Sequence, residues 1–499
     1  MSTVGSRLAG DTELRGHLAD FFMRVSDDEG LPPPGSGVSV GLSKTADRQY
    51  RMVNGANFSV RPETGAAAVA AARRAARLLG PVAGHERDVA EALWREAARR
   101  ATTFPRPEVA ESVTTFLKAI EVDAARPFIQ VTGNVLFRLL PGVDEVAIGP
   151  VKIARGEVAM ARYAPGGESD WRLEVGDSMA EIVDGVRGAL TLTLAPTCWL
   201  VECRAAPRNL REQAAWLVDV GISLLRLAYR ETPVSFPHVG EVEAHPRTAL
   251  AENEHALAVR EGGMTWGAPD VPGIYEVAPA TAAITQEAAF QARAAAIFDP
   301  KPKSVGERVA QGLGWLTRSR RSPDRAERLL HTFTALEALL SQADKRAPVV
   351  QTLARHAAVI LWATPPERAD GARRLRGLYE VRSALVHRGA REVSQSDADT
   401  IQYLVEILFW RVLDTVPLER SHAEFCAELA EASYGGPWPP LDDVIDDPDV
   451  DPEQPGALQQ TSEGATASAE DETARGSASD ATPAPDVLAA PPPDASAIG

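Results

Sequence analysis

The sequence predicts a multidomain chain: an α+β N-terminal region, an all-α helical bundle, and a disordered acidic tail. Three observations carry this reading. Between Phe128 and Cys203 the chain falls into short β-branched and aromatic runs broken by Gly and Pro, and a long amphipathic helix follows at Leu210–Tyr229. Beyond Pro300-Lys-Pro-Lys-Ser304, a linker by composition, every apolar pattern up to residue 433 has the period of a helix. From Leu441 to Gly499 there are 14 acids, one base and almost no aromatic residues, too little apolar surface to repay ordering.

In order, residues 1–122 read as a mainly helical segment. Its first 60 residues show no strong period, with a turn or loop at Leu31–Gly37. Helices follow over Gly65–Leu79, His85–Ala101 and Glu108–Ile120, the last with Pro107 just ahead of it. Residues 123–300 form the α+β region of unknown specificity. Strands are expected within Phe128–Leu140 and Val146–Ala154, then at Glu157–Tyr163, Trp171–Val175, Leu190–Leu194 and Thr197–Cys203. Residues 304–433 form the helical domain. Its helices are expected at Val305–Thr317, Asp324–Ala343, Val349–Trp362, Glu367–His387, Ser396–Leu413 and Arg420–Ala432, with Pro323–Asp324 and Pro365–Pro366–Glu367 as starts. Residues 441–499 are the tail.

Composition excludes several function classes. Three cysteines make neither a disulfide framework nor a zinc quartet, so reduced thiols in the cytoplasm are expected. The N-terminus lacks the apolar stretch of a signal peptide, and no run of about 18 apolar residues predicts a membrane span. The net charge of −17 is unevenly placed: the tail carries −13 and residues 1–300 carry −7, whereas Lys301–Glu431 is +3. That basic segment is the one suited to a polyanion. No glycine-rich phosphate loop, G-x-S-x-G or H-E-x-x-H is present. His238, His245 and His255 lack metal-site order and read as surface loop, so neither metal nor cofactor is expected.

The chemistry-bearing stretch is Leu375–Gly389. Leu375, Leu378, Tyr379, Leu385 and Val386 make one apolar helical stripe, and Arg382 stands within it. A guanidinium there needs a partner. Glu337 sits in the same way on the stripe of Leu329, Phe333, Leu336 and Leu340, so a buried Glu337–Arg382 pair is expected. His387 falls in the last turn, with Gly389 placed to stop the helix. His331, six residues after Arg325, lacks that context and reads as a partly buried helical residue.

Taken together, Gly312-Leu-Gly-Trp-Leu316, Asp324, Phe333-Thr-Ala-Leu-Glu-Ala-Leu-Leu340 and Leu378-Tyr-Glu-Val-Arg-Ser-Ala-Leu-Val-His-Arg-Gly389 resemble the Apea-like branch of the HEPN domains. The likeness covers about residues 304–415. The mark of that family is an arginine four to six residues before a histidine, matched by Arg382 and His387; many active members carry Asn, Asp or His after the arginine, where Ser383 stands. The resemblance implies a helical bundle that pairs as a homodimer and cleaves RNA without metal, in phage defence or a toxin-type system. It implies Arg382, His387 and Ser383 as catalytic, Glu337 as supporting, and Arg376 and Arg388 as RNA contacts. The front region would then hold a trigger ligand. A non-catalytic HEPN module that binds nucleotide or RNA, or serves dimerisation, is the alternative.

Overall fold

The fold was analysed in a computed structural model. It describes residues 7–27, 49–53, 56–134, 137–163, 171–174, 189–192, 196–228, 256–260, 263–267, 275–322, 324–341, 349–436 and 438. The expected loop at Leu31–Gly37, the three histidines from His238 to His255 and the acidic tail lie outside the described residues.

The protein is mostly helical, with a small antiparallel sheet in its front half. Helices α1 (Thr12–Asp27), α2 (Pro62–Leu79), α3 (Glu86–Thr102) and α4 (Val109–Ala125) pack with the hairpin β1–β2 (Gln49–Val53, Ala56–Val60). Their apolar faces close a core of their own around Phe21, Phe22, Ala71, Trp94 and Phe116. Phe21 meets Trp94 edge to face at 5.0 Å.

A second core begins at Phe137 and runs through to Ala432. Its front is a four-stranded antiparallel sheet in the order β3 (Phe128–Asn134), β9 (Thr197–Cys203), β6 (Val151–Arg155), β5 (Glu145–Ile148). Strand β9 is central and buried except at Glu202, as its T-C-W-L-V-E-C text requires of a two-sided strand. The short strand β4 (Phe137–Leu139) pairs in parallel with β12 (Tyr275–Val277), and two further hairpins are β7–β8 (Trp171–Glu174, Ala189–Leu192) and β10–β11 (Ala256–Arg260, Gly263–Gly267). Gly156–Tyr163, expected as a strand from Glu157, is helix α5. Glu, Ala, Met and Arg there favour a helix, and an eight-residue run is too short for its period to decide.

Helix α6 (Leu210–Ala228) joins the sheet to the C-terminal helices. It is buried at every position from Val218 to Arg226, with Gly221 against Val151 of the sheet and Ser223 against Thr317 on the far side. Two short helices, α7 (Pro279–Gln286) and α8 (Ala288–Phe298), lead into the C-terminal bundle: α9 (Val305–Arg321), α10 (Arg325–Leu340), α11 (Val349–Leu361), α12 (Pro365–Arg388), α13 (Gln395–Thr415) and α14 (His422–Ser433). The starts come from local chemistry. Asp324 accepts from the amides of Ala326 and Glu327 at 2.9 and 3.0 Å, and Thr364 with Glu367 forms a capping box ahead of α12. Backbone bonds from Val305 to Arg420 and from Gly306 to Leu418 tie the first helix of the bundle to the segment before the last.

Candidate active site

Helix α12 is unusual in how little of it is covered. Gly371, Ala372, Leu375 and Leu378 are its buried residues, all in the first two-thirds; from Tyr379 to Arg388 every side chain is half-buried or exposed. The front of the helix is fully buried on one face, whereas its end meets the core through the half-buried Tyr379, Val381 and Leu385. Gly389 stops it with φ of 67°, and Gly389 and Ala390 return their amides to the carbonyls of Leu385 and Ala384. That is a left-handed C-cap, which only glycine enters without a Cβ penalty.

Glu337, Tyr379 and Arg382 come together where α10 passes α12. Arg382 Nη2 lies 3.2 and 3.3 Å from the two Glu337 carboxylate oxygens. Tyr379 donates its hydroxyl proton to Glu337 Oε1 at 2.9 Å and accepts from Arg382 Nη1 at 3.3 Å. Arg382 also lies over the Tyr379 ring, 5.2 Å from its centroid, while Phe333 meets the ring edge-on at 5.3 Å. Burial and the Glu337 carboxylate both raise the Tyr379 pKa, with Arg382 opposing, so the phenol stays a donor. The expected Glu337–Arg382 pair is present, with side chains 18% and 24% exposed. The Tyr379 hydroxyl is the member that sequence reading missed, having counted Tyr379 only as an apolar stripe residue. Its place three residues before Arg382 was the available signal, because a tyrosine carries a polar tip into an apolar face.

One expected core residue is misplaced. Val386 is 48% exposed, not inward. It lies about 40° around the helix from Arg382, so the face is right. Leu385 beside it is half-buried against the core.

His387 is exposed and stands about 140° around α12 from Arg382, so the two leave the helix on different sides. The face of His387 instead contains half-buried Ser383 and exposed Arg376, all within about 40°. Arg388 is exposed and points elsewhere on the last turn. Just past the cap, Arg391 pairs with Asp324 at the start of α10. With the Glu337–Arg382 contact, this makes α10 and α12 antiparallel and bound at two places, His387 lying between them along the chain.

Two other histidines are engaged within the fold. His331 is half-buried, its ring tilted on Trp315 at 5.3 Å. His422 Nε2 lies 2.6 Å from the Leu339 carbonyl and 3.4 Å from Cys426 Sγ. A nitrogen that donates to a carbonyl cannot take the thiol proton, so this buried pair is not set up as nucleophile and base. Among the described residues no cluster of three His, Cys, Asp or Glu side chains could hold a metal, and no helix is long and apolar enough to cross a membrane. No known family profile, curated protein or solved structure matches the chain.

Proposed function

We propose that the chain is a HEPN-type, metal-independent endoribonuclease that acts as a homodimer. The observation that carries this reading is the layout of one helix end. A half-buried arginine is held by Glu337 and Tyr379, an exposed histidine follows five residues later, and a glycine cap ends the element. RNA contains its own nucleophile, the 2′-hydroxyl, so the protein has only to move protons and stabilise charge on the phosphate. His387 removes the 2′-hydroxyl proton, and Arg382 answers the negative charge that grows on the phosphate oxygens. The 5′-oxygen leaves with a proton from an acid, for which His387 of a second copy is the nearest chemical match. A second copy also resolves the 140° divergence. Val386, exposed at the end of α12, marks the surface on which it would pair. Arg376, about 16 Å from His387 along the same face, contacts the strand away from the cut, and Arg388, next to His387 on the last turn, contacts it nearer the cut. Ser383, one turn before His387, gives a hydroxyl to the same phosphate region.

The reading fits a defence or toxin role in the cytoplasm, with the front region holding the trigger ligand. Expression of wild type and His387→Ala in a bacterial host tests it. Growth arrest with fragmented RNA is expected for wild type and not for the variant. A second reading has its own support: Arg382 is already engaged by a carboxylate in the single chain. If both proteins are equally harmless and RNA stays intact, the non-catalytic module that binds RNA or nucleotide, or serves dimerisation, takes its place.

A further inference from the structure

The two hydrophobic cores share no residue. Among the described residues, Val82 is the side chain ahead of Phe137 that packs on the second core. Polar contacts at one corner add to it. Arg208, between β9 and α6, reaches across to helix α3: its guanidinium pairs with Asp88 and lies 2.6 Å from Glu91, and its amide donates to Asp88 at 3.2 Å. Asn209 donates its side-chain amide to the carbonyls of Pro81 and Val82 at 3.0 and 3.1 Å, and the Ala206 amide donates to Val82 at 3.0 Å. Arg208 is 39% exposed and Glu91 59% exposed, so salt can reach the clamp.

From this we infer that the first lobe, to about Ala125, is a detachable body held on the second by an electrostatic latch at Arg208. The lobes separate without either core opening. Each lobe has its own buried cluster, with Trp94 and Phe116 in one and Trp199 and Leu224 in the other. The exposed Arg208–Glu91 pair is weak on its own, and Asp88, 14% exposed, holds the guanidinium from the drier side, so the latch loosens when the Arg208 charge is lost or screened. Release changes which face of the sheet corner meets solvent and leaves the α12 site intact. The inference stands apart from the RNA-cleavage reading.

Hydrogen exchange on the full chain reads the latch directly, because the Ala206 and Arg208 amides are bonded across it. In Arg208→Glu, exchange in a peptide covering residues 204–209 should quicken about 5- to 30-fold, the range that a loss of about 1–2 kcal/mol implies. Peptides from the middle of α3 and α6 should keep wild-type protection. Raising the salt from about 0.05 M to about 0.5 M should act on wild type in the same direction. Unchanged exchange at 204–209 in Arg208→Glu would overturn the latch. So would loss of protection throughout α3 and α6, which would make the corner part of one cooperative fold.

Discussion

Arg382 sets the physics at the scale of single residues. Its partner Glu337 is three-quarters out of water, so removing the carboxylate charge leaves a guanidinium facing a neutral amide in a partly dry site. Glu337→Gln keeps the shape and should cost about 1–3 kcal/mol in urea unfolding; wild-type stability would mean that Arg382 does not depend on the pair. His356 gives a pH signature. Burial chiefly, with Arg355 and His422 adding to it, depresses its pKa to about 4 from the usual 6.5. The unfolded chain therefore binds the proton first. His356 favours the fold fully above about pH 6.5, and that contribution falls away as the pH drops toward 4, by roughly 3 kcal/mol in all. Denaturant melts at pH 7 and pH 4.5 should show this loss, and His356→Gln should flatten the difference.

Two glycines of α12 carry opposite expectations at the scale of the element. Gly377 is exposed in the helix interior and a Cβ there meets nothing, so Gly377→Ala should stabilise by about 0.5–1 kcal/mol. Gly389 is equally open, yet its φ is positive, and Gly389→Ala should cost about 1–2 kcal/mol and fray the turn that carries His387. Thermal melts of the two variants should move in opposite directions. The helices of the bundle were legible because Pro, Asp and Ser mark their starts and Leu and Phe recur with a 3.6 period. The Glu337–Arg382 pair was legible because a charge in an apolar stripe needs a partner. Val386 was not, because a pattern names a face and not the neighbour that covers it. Helix α1 was missed even though Leu14, Leu18, Phe21, Phe22 and Val25 form a stripe, since no recognisable strand or helix neighboured it in sequence. Gly156–Tyr163 was misassigned because a short run of mixed residues satisfies both periods.

For the whole molecule, the decisive feature is that the second core crosses the linker at residue 300. Helix α6 enters the bundle through a polar seam. Arg226 and Arg320 flank Glu406 at 3.1 and 2.7 Å, Ser223 meets Thr317 at 2.6 Å, and Asp219 takes Arg318 and Arg321 at 3.1 and 2.5 Å. Burial opposes the charge of Glu406, but the two arginines together outweigh it and hold the carboxyl below the usual range. None of this was legible, because each partner lies 86 to 180 residues away in the chain, on an element with no sequence link to the other, whereas Glu337 and Arg382 are 45 apart on neighbouring bundle helices. A fragment of residues 304–436 would lose α6 and expose Glu406, Leu313 and Leu316, so it should bind a hydrophobic dye and unfold without cooperativity while the full chain does neither. The central claim is chemical, and the full chain is the form in which to test it. Purified protein should be given a single-stranded RNA in EDTA, the same RNA with 2′-deoxy residues, and the same RNA with His387→Ala, and the new ends identified. An internal 2′-hydroxyl nucleophile predicts cleavage in EDTA, a 2′,3′-cyclic phosphate end, and no cutting at deoxy positions. His387→Ala should lower the rate roughly 10²- to 10⁴-fold. Cleavage that needs Mg²⁺, or that persists undiminished in folded His387→Ala, would contradict the account.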